Sequence, residues 1–344
     1  MRKFILAIIL FLGFVFVIAK LAEIQNIALT LEGGIWWFLL LALLVEILLV
    51  INYGASFRSI YHAMGIEERV GTLALMYSAA SFVNVVAPTA GVGGLAIFIS
   101  EARRRDYSPA RVAVAGVLFL LFDYLGLIGI LLVGLVILIR RNNLTLVVIL
   151  ASAALVALAM LFAFLLNLGM QSAVALGNAL ATMARFINRI LRPFIHRDYL
   201  SEERAHEFAH DAADGLTKMR SQPKSMLLPL FLALINKSGL LLILVLVFLA
   251  FKIPISIGTI IACFSIGYLF VIISPTPAGI GVVEGALTLA LTSMYISLED
   301  AAVITLSFRG ITFWLPMLFG MISLRMLERV GIKPNSNNNH EIEV

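Results

Sequence analysis

Across 344 residues, 61% are hydrophobic and 13% charged, with a mean hydropathy of +1.04. A soluble domain carries about 25% charged residues, so this composition excludes an ordinary soluble enzyme and points to an all-α integral membrane protein. The formal charge of +5 falls in short basic clusters between apolar runs, not the pattern of a nucleic-acid-binding surface, and the single Cys263 excludes an intramolecular disulfide.

In chain order, apolar runs suited to membrane helices lie at 4–22, 35–54, 71–86, 111–139, 144–168, 226–251, 256–273 and 301–327, about eight transmembrane helices. The first follows Arg2 and Lys3 and matches or exceeds the apolar core of a secretion signal, so it is expected to be retained as a helix. Two shorter stretches, 88–99 and 276–296, each follow a Pro-Thr pair and carry several glycines. They are expected to be the returning arms of two re-entrant helical hairpins. Segment 169–224 is charge-rich and reads as a cytosolic helical insertion into a single membrane domain spanning 1–330. Its opening part, 173–195, sets Arg185, Arg189 and Arg192 among apolar residues, which suits an amphipathic helix on an anionic leaflet. The Asn-rich tail 331–344 is expected to be disordered.

Basic residues set the expected orientation. With both hairpins returning to their side of entry and both termini cytoplasmic, only Lys20, Arg140, Arg141 and Lys252 fall outside, and Lys237 and Arg309 fall within the membrane. Treating 71–99 as one continuous span would instead export Arg103, Arg104, Arg105 and the basic insertion, against the positive-inside rule. The inner (cytoplasmic) membrane is the expected location.

The chain also repeats itself. Gly71/Gly258, Thr72/Thr259, Ser78/Ser265, Pro88/Pro275 and Thr89/Thr276 are identical at one offset. After Pro277 the offset grows by one residue and pairs Ala90/Ala278, Gly91/Gly279 and Gly93/Gly281. The first repeat covers about 35–139 and the second about 226–327, and in the expected topology they are inverted. Gly/Pro-broken segments at matching places in inverted halves mark a transporter's site near the midplane. Unwound backbone survives at that depth only where protein or a wet cavity satisfies it, and the helix that resumes after the glycines can hold an anion on its N–H groups. Gly91, Gly93, Pro277, Gly279 and Gly281 are therefore candidate site residues, with Thr89 and Thr276 as hydroxyl donors and Asn84 lining the same cavity. Asn236, Tyr124 and Trp314 are further candidates for its wall.

Glu46, Asp123, Lys237, Glu284 and Arg309 are ionisable residues within apolar runs. Each would cost a few kcal/mol or more facing lipid, so each is expected to face the interior and find a partner. Arg309, with Lys237, is expected to meet a substrate phosphate, while Glu284 or Asp123 holds the arginine in the empty site; a permanent ion-pair network is the alternative. A rival reading comes from His206-Glu207-Phe208-Ala209-His210, an H-E-x-x-H pattern that binds zinc in metallopeptidases. Its charged flanks Arg204 and Asp211 and its charge-rich segment fit a solvated surface helix better, so no metal or other cofactor is expected. No Walker loop or dinucleotide turn accompanies it.

The run from Pro275 through Thr276, Pro277, Gly279, Gly281, Glu284 and Gly285, with Ser307, Phe308, Arg309, Gly310 and Trp314 downstream, resembles the lysylphosphatidylglycerol synthase transmembrane region. That family includes the flippase part of bacterial multiple-peptide-resistance factors. The resemblance runs from about residue 4 to 330, is most specific in this second block, and is looser over 84–94. It implies movement of an anionic phospholipid, an aminoacyl-phospholipid or a polyprenyl-phosphate-linked lipid between leaflets. The aminoacyl-transfer domain of the full-length synthases is missing after residue 330, so lysine transfer is not expected. The alternative within this resemblance is a non-transporting subunit that presents lipid to a separate lipid-modifying enzyme.

Overall fold

A computed structural model describes residues 33–86, 92–195, 201–221, 223–254, 256–274 and 276–330. Within them the chain is helical and contains no strand. The elements are α1 (Trp36–Ala63), α2 (Val70–Val86), α3 (Val92–Arg104), α4 (Pro109–Arg140), α5 (Leu146–Gln171), α6 (Ala173–Ile195) and α7 (Glu202–Arg220). A 3-10 turn (Pro223–Met226) leads into α8 (Leu227–Ala250), α9 (Ile257–Ile273), α10 (Val282–Ser293) and α11 (Leu298–Arg309). A π-helical turn (Gly310–Trp314) then joins α11 to α12 (Leu315–Val330). Local chemistry starts several of these: Ser108, Thr145, Ser256 and Ser297 each accept an N–H of the first turn of α4, α5, α9 and α11, and Pro109 occupies a first-turn position that needs no donor.

Among the described residues five segments are long and apolar enough to cross a membrane: α1, α4, α5, the 3-10 turn with α8, and α11 to α12. They cover the expected spans 35–54, 111–139, 144–168, 226–251 and 301–327 to within two residues at each end of those spans. The expected helix at 4–22 and the tail at 331–344 lie outside the described residues. The other two expected spans, 71–86 and 256–273, are α2 and α9, of 17 residues each. At 1.5 Å per residue that is about 25 Å, short of a ~30 Å hydrocarbon core.

These short helices are the first arms of two hairpins. Gly94 of α3 lies against Asn84 and the Ala80 carbonyl of α2, and Gly267 of α9 lies against Leu287 of α10. Each hairpin returns to the end of the bundle where it began. At one end, Arg105 after α3 pairs with Glu68 before α2 at 2.6 Å, and Tyr107 donates to the Glu67 carbonyl at 2.8 Å. At the other end, Arg141 bonds Ser256 and Thr259 at the start of α9, while Asn143 reaches Ser293 and Met294 at the end of α10. The two hairpins therefore enter from opposite ends.

The corresponding helices of the two repeats confirm this inversion. α1 and α8 pack antiparallel: Ile35 N–H donates to the Ala250 carbonyl, Leu49 meets Gly239, and Asn52 bonds Asn236. Contacts also exchange between the halves. Gly134 of α4 sits on Ser265 of α9, and Gly320 of α12 sits on the carbonyl of Ser78 in α2. Ser78 and Ser265 are the paired serines of the repeat. A methyl at Gly320 would strike backbone, which cannot give way as a side-chain tip can, so Gly320→Val is expected to destabilise the protein by about 1–3 kcal/mol. Gly71→Ala, with open space around it, serves as the control in thermal unfolding of the lipid-reconstituted protein.

The insertion packs as an α6–α7 pair against the first of these ends. Arg220 donates to the Met170 carbonyl at the end of α5, and Arg111 at the start of α4 lies 3.7 Å from Asp214. The ends of α1, α3 and α5, the starts of α2 and α4, and the insertion thus share one face of the bundle.

Candidate functional site

The second hairpin breaks at 274–281 because its sequence cannot remain helical. Ala278, Gly279 and Gly281 all have positive φ, at 50°, 76° and 80°. The glycines adopt that region without penalty, whereas Ala278 does so at a cost. Thr276 secures the turn: its hydroxyl donates to the Ile280 carbonyl at 2.9 Å and lies 2.8 Å from the Ser274 hydroxyl. The Thr276 proton is thus directed at the Ile280 carbonyl within the turn. Pro277 opens a short 3-10 turn ending at Gly279.

α10 resumes at Val282, and Glu284 in its first turn folds back on it. Glu284 Oε2 accepts the Gly281 N–H at 2.7 Å, while Oε1 accepts Arg309 Nε at 2.7 Å. Arg309 also donates from Nη2 to the Ala278 carbonyl at 3.3 Å and stacks 4.2 Å over the Phe313 ring. Among the described residues no hydrogen bond engages Nη1. Arg309 is 6% exposed and ends α11, where a cation complements the helix C-terminus. The π-helical turn follows it at once, a local irregularity that recurs at functional sites. The Glu284 carboxylate therefore holds the two contacts that an incoming anion would use: the amide at the head of α10 and the guanidinium.

A second ion pair joins α8 to α4. Lys237 of α8 is 4% exposed and sits 2.7 and 2.8 Å from the two Asp123 oxygens on α4. The sequence left Asp123 as a possible partner for Arg309; the structure gives it to Lys237 and gives Glu284 to Arg309. Tyr268 on α9 faces the Lys237–Asp123 pair. The Lys237 ammonium is 5.2 Å from its ring, and its phenol is within electrostatic reach of Arg309, Asp123 and Glu46. Beside it, Tyr53 and Tyr77 stack at 4.2 Å.

The first hairpin is differently equipped. Asn84 Oδ1 accepts the Gly94 N–H at 2.6 Å, capping α3 with a neutral amide where the second hairpin uses a carboxylate. Gly93 begins that capped turn, and Thr89 and Gly91 lie outside the described residues. Asn236 bonds Asn52 between α1 and α8, Tyr124 stacks on Phe162, and Trp314 is exposed, so these three do not converge on Arg309. Among the described residues no three metal-ligating side chains gather, and His206 lies against Gly177 of α6.

Sequence reasoning missed Tyr268, Tyr53 and Tyr77, whose only signal was a phenol inside an apolar run. It also missed Asn52, although a lone amide in such a run already calls for an interhelical partner.

A family model described as the lysylphosphatidylglycerol synthase TM region matches residues 4–320. No curated protein matches the chain.

Proposed function

The chain belongs to the lysylphosphatidylglycerol synthase TM-region family, and from that premise we propose that it translocates an anionic membrane lipid between leaflets. The lipid is a phospholipid, an aminoacyl-phospholipid or a polyprenyl-phosphate-linked lipid of the cytoplasmic membrane, and no bond of it is made or broken. The observation that carries this reading is the place of Glu284, which occupies an anion site built from a helix N-terminus and Arg309. A headgroup phosphate displaces Glu284 from the guanidinium, and Glu284 retakes it when the lipid leaves. The exchange keeps the buried arginine paired throughout, which avoids the cost of a lone charge in a low dielectric.

A lipid has tails as well as a head. An apolar groove of about 380 Å³ runs between α1 and the π-helical turn, lined by Trp36, Leu39, Leu43, Gly310, Ile311 and Leu315. It adjoins Arg309 through Gly310 and suits an acyl or prenyl chain. The bundle face that gathers Arg105, Arg111 and the α6–α7 insertion is the cytoplasmic one by the positive-inside rule, with α6 lying at the inner leaflet. On the competing reading, a subunit presenting lipid to a partner enzyme, Arg309 would bind lipid without moving it.

Vesicles reconstituted with the full chain separate the two. Labelled phosphatidylglycerol in the inner leaflet is expected to become accessible to an impermeant quencher faster than in protein-free vesicles, and faster than labelled phosphatidylcholine. Equal rates for both lipids and for protein-free vesicles would sink the translocation reading.

A further inference from the structure

Neither ion pair uses Glu46. It lies on α1 in the buried stripe Ala42, Glu46, Leu49 and Tyr53, the face that packs on α8 between the two halves. It is 4% exposed, and its Oε2 is fully buried with no hydrogen-bond partner among the described residues. An ionised carboxylate there would need a cation or several donors.

Among the described residues no cation from the elements packed against α1 pairs with Glu46; Arg111 and Arg140 of α4 sit near the two ends of that helix. From α8 comes Lys237, already held by Asp123 of α4. The helix that ends at the π-helical turn brings Arg309, held by Glu284. The 3-10 turn at 223–226 brings Lys224, exposed at the basic end of the bundle, far along α1 from Glu46. The remaining titratable neighbours are phenols: Tyr53 on α1 itself, Tyr77 on α2 and Tyr268 on α9, each within electrostatic reach of Glu46. Tyr268 is also within electrostatic reach of Asp123 and Arg309, one member of each ion pair.

We propose that Glu46 is a proton-binding site and that one proton travels with the anionic headgroup, so that lipid translocation is proton-coupled. This rests on the translocation reading above. The balance is simple: the Glu46 carboxylate takes up one proton from one aqueous side, forming an O–H bond, and releases the same proton to the other side. With a monoanionic phosphodiester headgroup the step carries no net charge, which removes the cost of moving a lone anion through a low-dielectric region. The carboxyl also lies at the seam between the two inverted halves, where alternating-access sites are built.

The test uses the full chain in vesicles containing labelled phosphatidylglycerol, with an imposed pH difference. Wild type is expected to enrich the label several-fold in the leaflet facing the more alkaline side. Glu46→Gln loses that enrichment, and Glu46→Asp, which restores a titratable carboxyl, keeps part of it. Exchange by wild type with no enrichment overturns the coupling and leaves translocation standing; no exchange at all overturns both. A second measurement is independent of transport and of any folding defect in the variants. Infrared titration of the wild type is expected to show a protonated carboxyl stretch at neutral pH that fades as pH rises and is missing from Glu46→Gln. Absence of that band in wild type overturns the proton site directly.

Discussion

Arg309→Ala is expected to lose about 100-fold in affinity for an anionic headgroup, and leaflet exchange falls with it. The magnitude follows from removing a buried, charge-assisted donor, worth about 3 kcal/mol, with 1.4 kcal/mol per factor of ten. Arg309→Lys keeps the charge but not the planar fork that spans Glu284 and the Ala278 carbonyl, so it is expected to recover only part of the loss. Glu284→Gln distinguishes a displaceable anion from a permanent brace. Its amide oxygen can still cap Gly281, but it no longer competes with a phosphate for the guanidinium. Lipid affinity is therefore expected to rise while exchange slows, because release needs the carboxylate to retake the arginine. Affinity is read by retention of phosphatidylglycerol on the purified protein in native mass spectrometry. Both substitutions lowering stability and leaving lipid retention unchanged would mean that the pair only holds the hairpin.

Lys237→Met is expected to cost about 3 kcal/mol, because it leaves Asp123, only 20% exposed, without its cation. Lys237→Met combined with Asp123→Leu is expected to recover most of that loss and to retain exchange within a few-fold of wild type. Both carboxylate oxygens already bind the ammonium, and Tyr268 covers it, so the pair braces α8 against α4. Unfolding of the four members of this double-mutant cycle in lipid measures the coupling. A double variant as unstable as the sum of the singles would show that each residue has another partner. A stable double variant that no longer exchanges lipid would return Lys237 to the site.

Much of the architecture was legible in the chain because membrane folds leave few options for backbone polar groups. The apolar runs located the helices, and the repeated Gly-Thr, Ser and Pro-Thr positions predicted hairpins entering from opposite ends. The reciprocal seating of Gly134 on Ser265 and Gly320 on Ser78 shows that this repeat also governs packing. At the site, Glu284 and Arg309 could be paired from sequence because they lie within one hairpin-and-helix unit, 25 residues apart. Lys237 and Asp123 could not, since they are 114 residues apart and depend on how α8 crosses α4. The local bond of Thr276 was not legible for a different reason: its hydroxyl finds an acceptor at Ile280 only once the turn is formed, and such local side-chain bonds compete with a ligand. The lack of a partner for Glu46 Oε2 among the described residues was invisible for the converse reason, since it shows only once the packed helices are placed.

Arg309 as a displaceable headgroup site is tested most directly by exchange of labelled phosphatidylglycerol in vesicles, with wild type and Arg309→Ala compared at matched incorporation. Exchange by wild type that is lost on substitution, with both proteins folded, is the predicted result. Equal exchange by the two proteins would remove Arg309 from the pathway. No exchange by wild type, with phosphatidylglycerol or with a polyprenyl phosphate, would contradict translocation and favour a subunit that presents lipid to another enzyme.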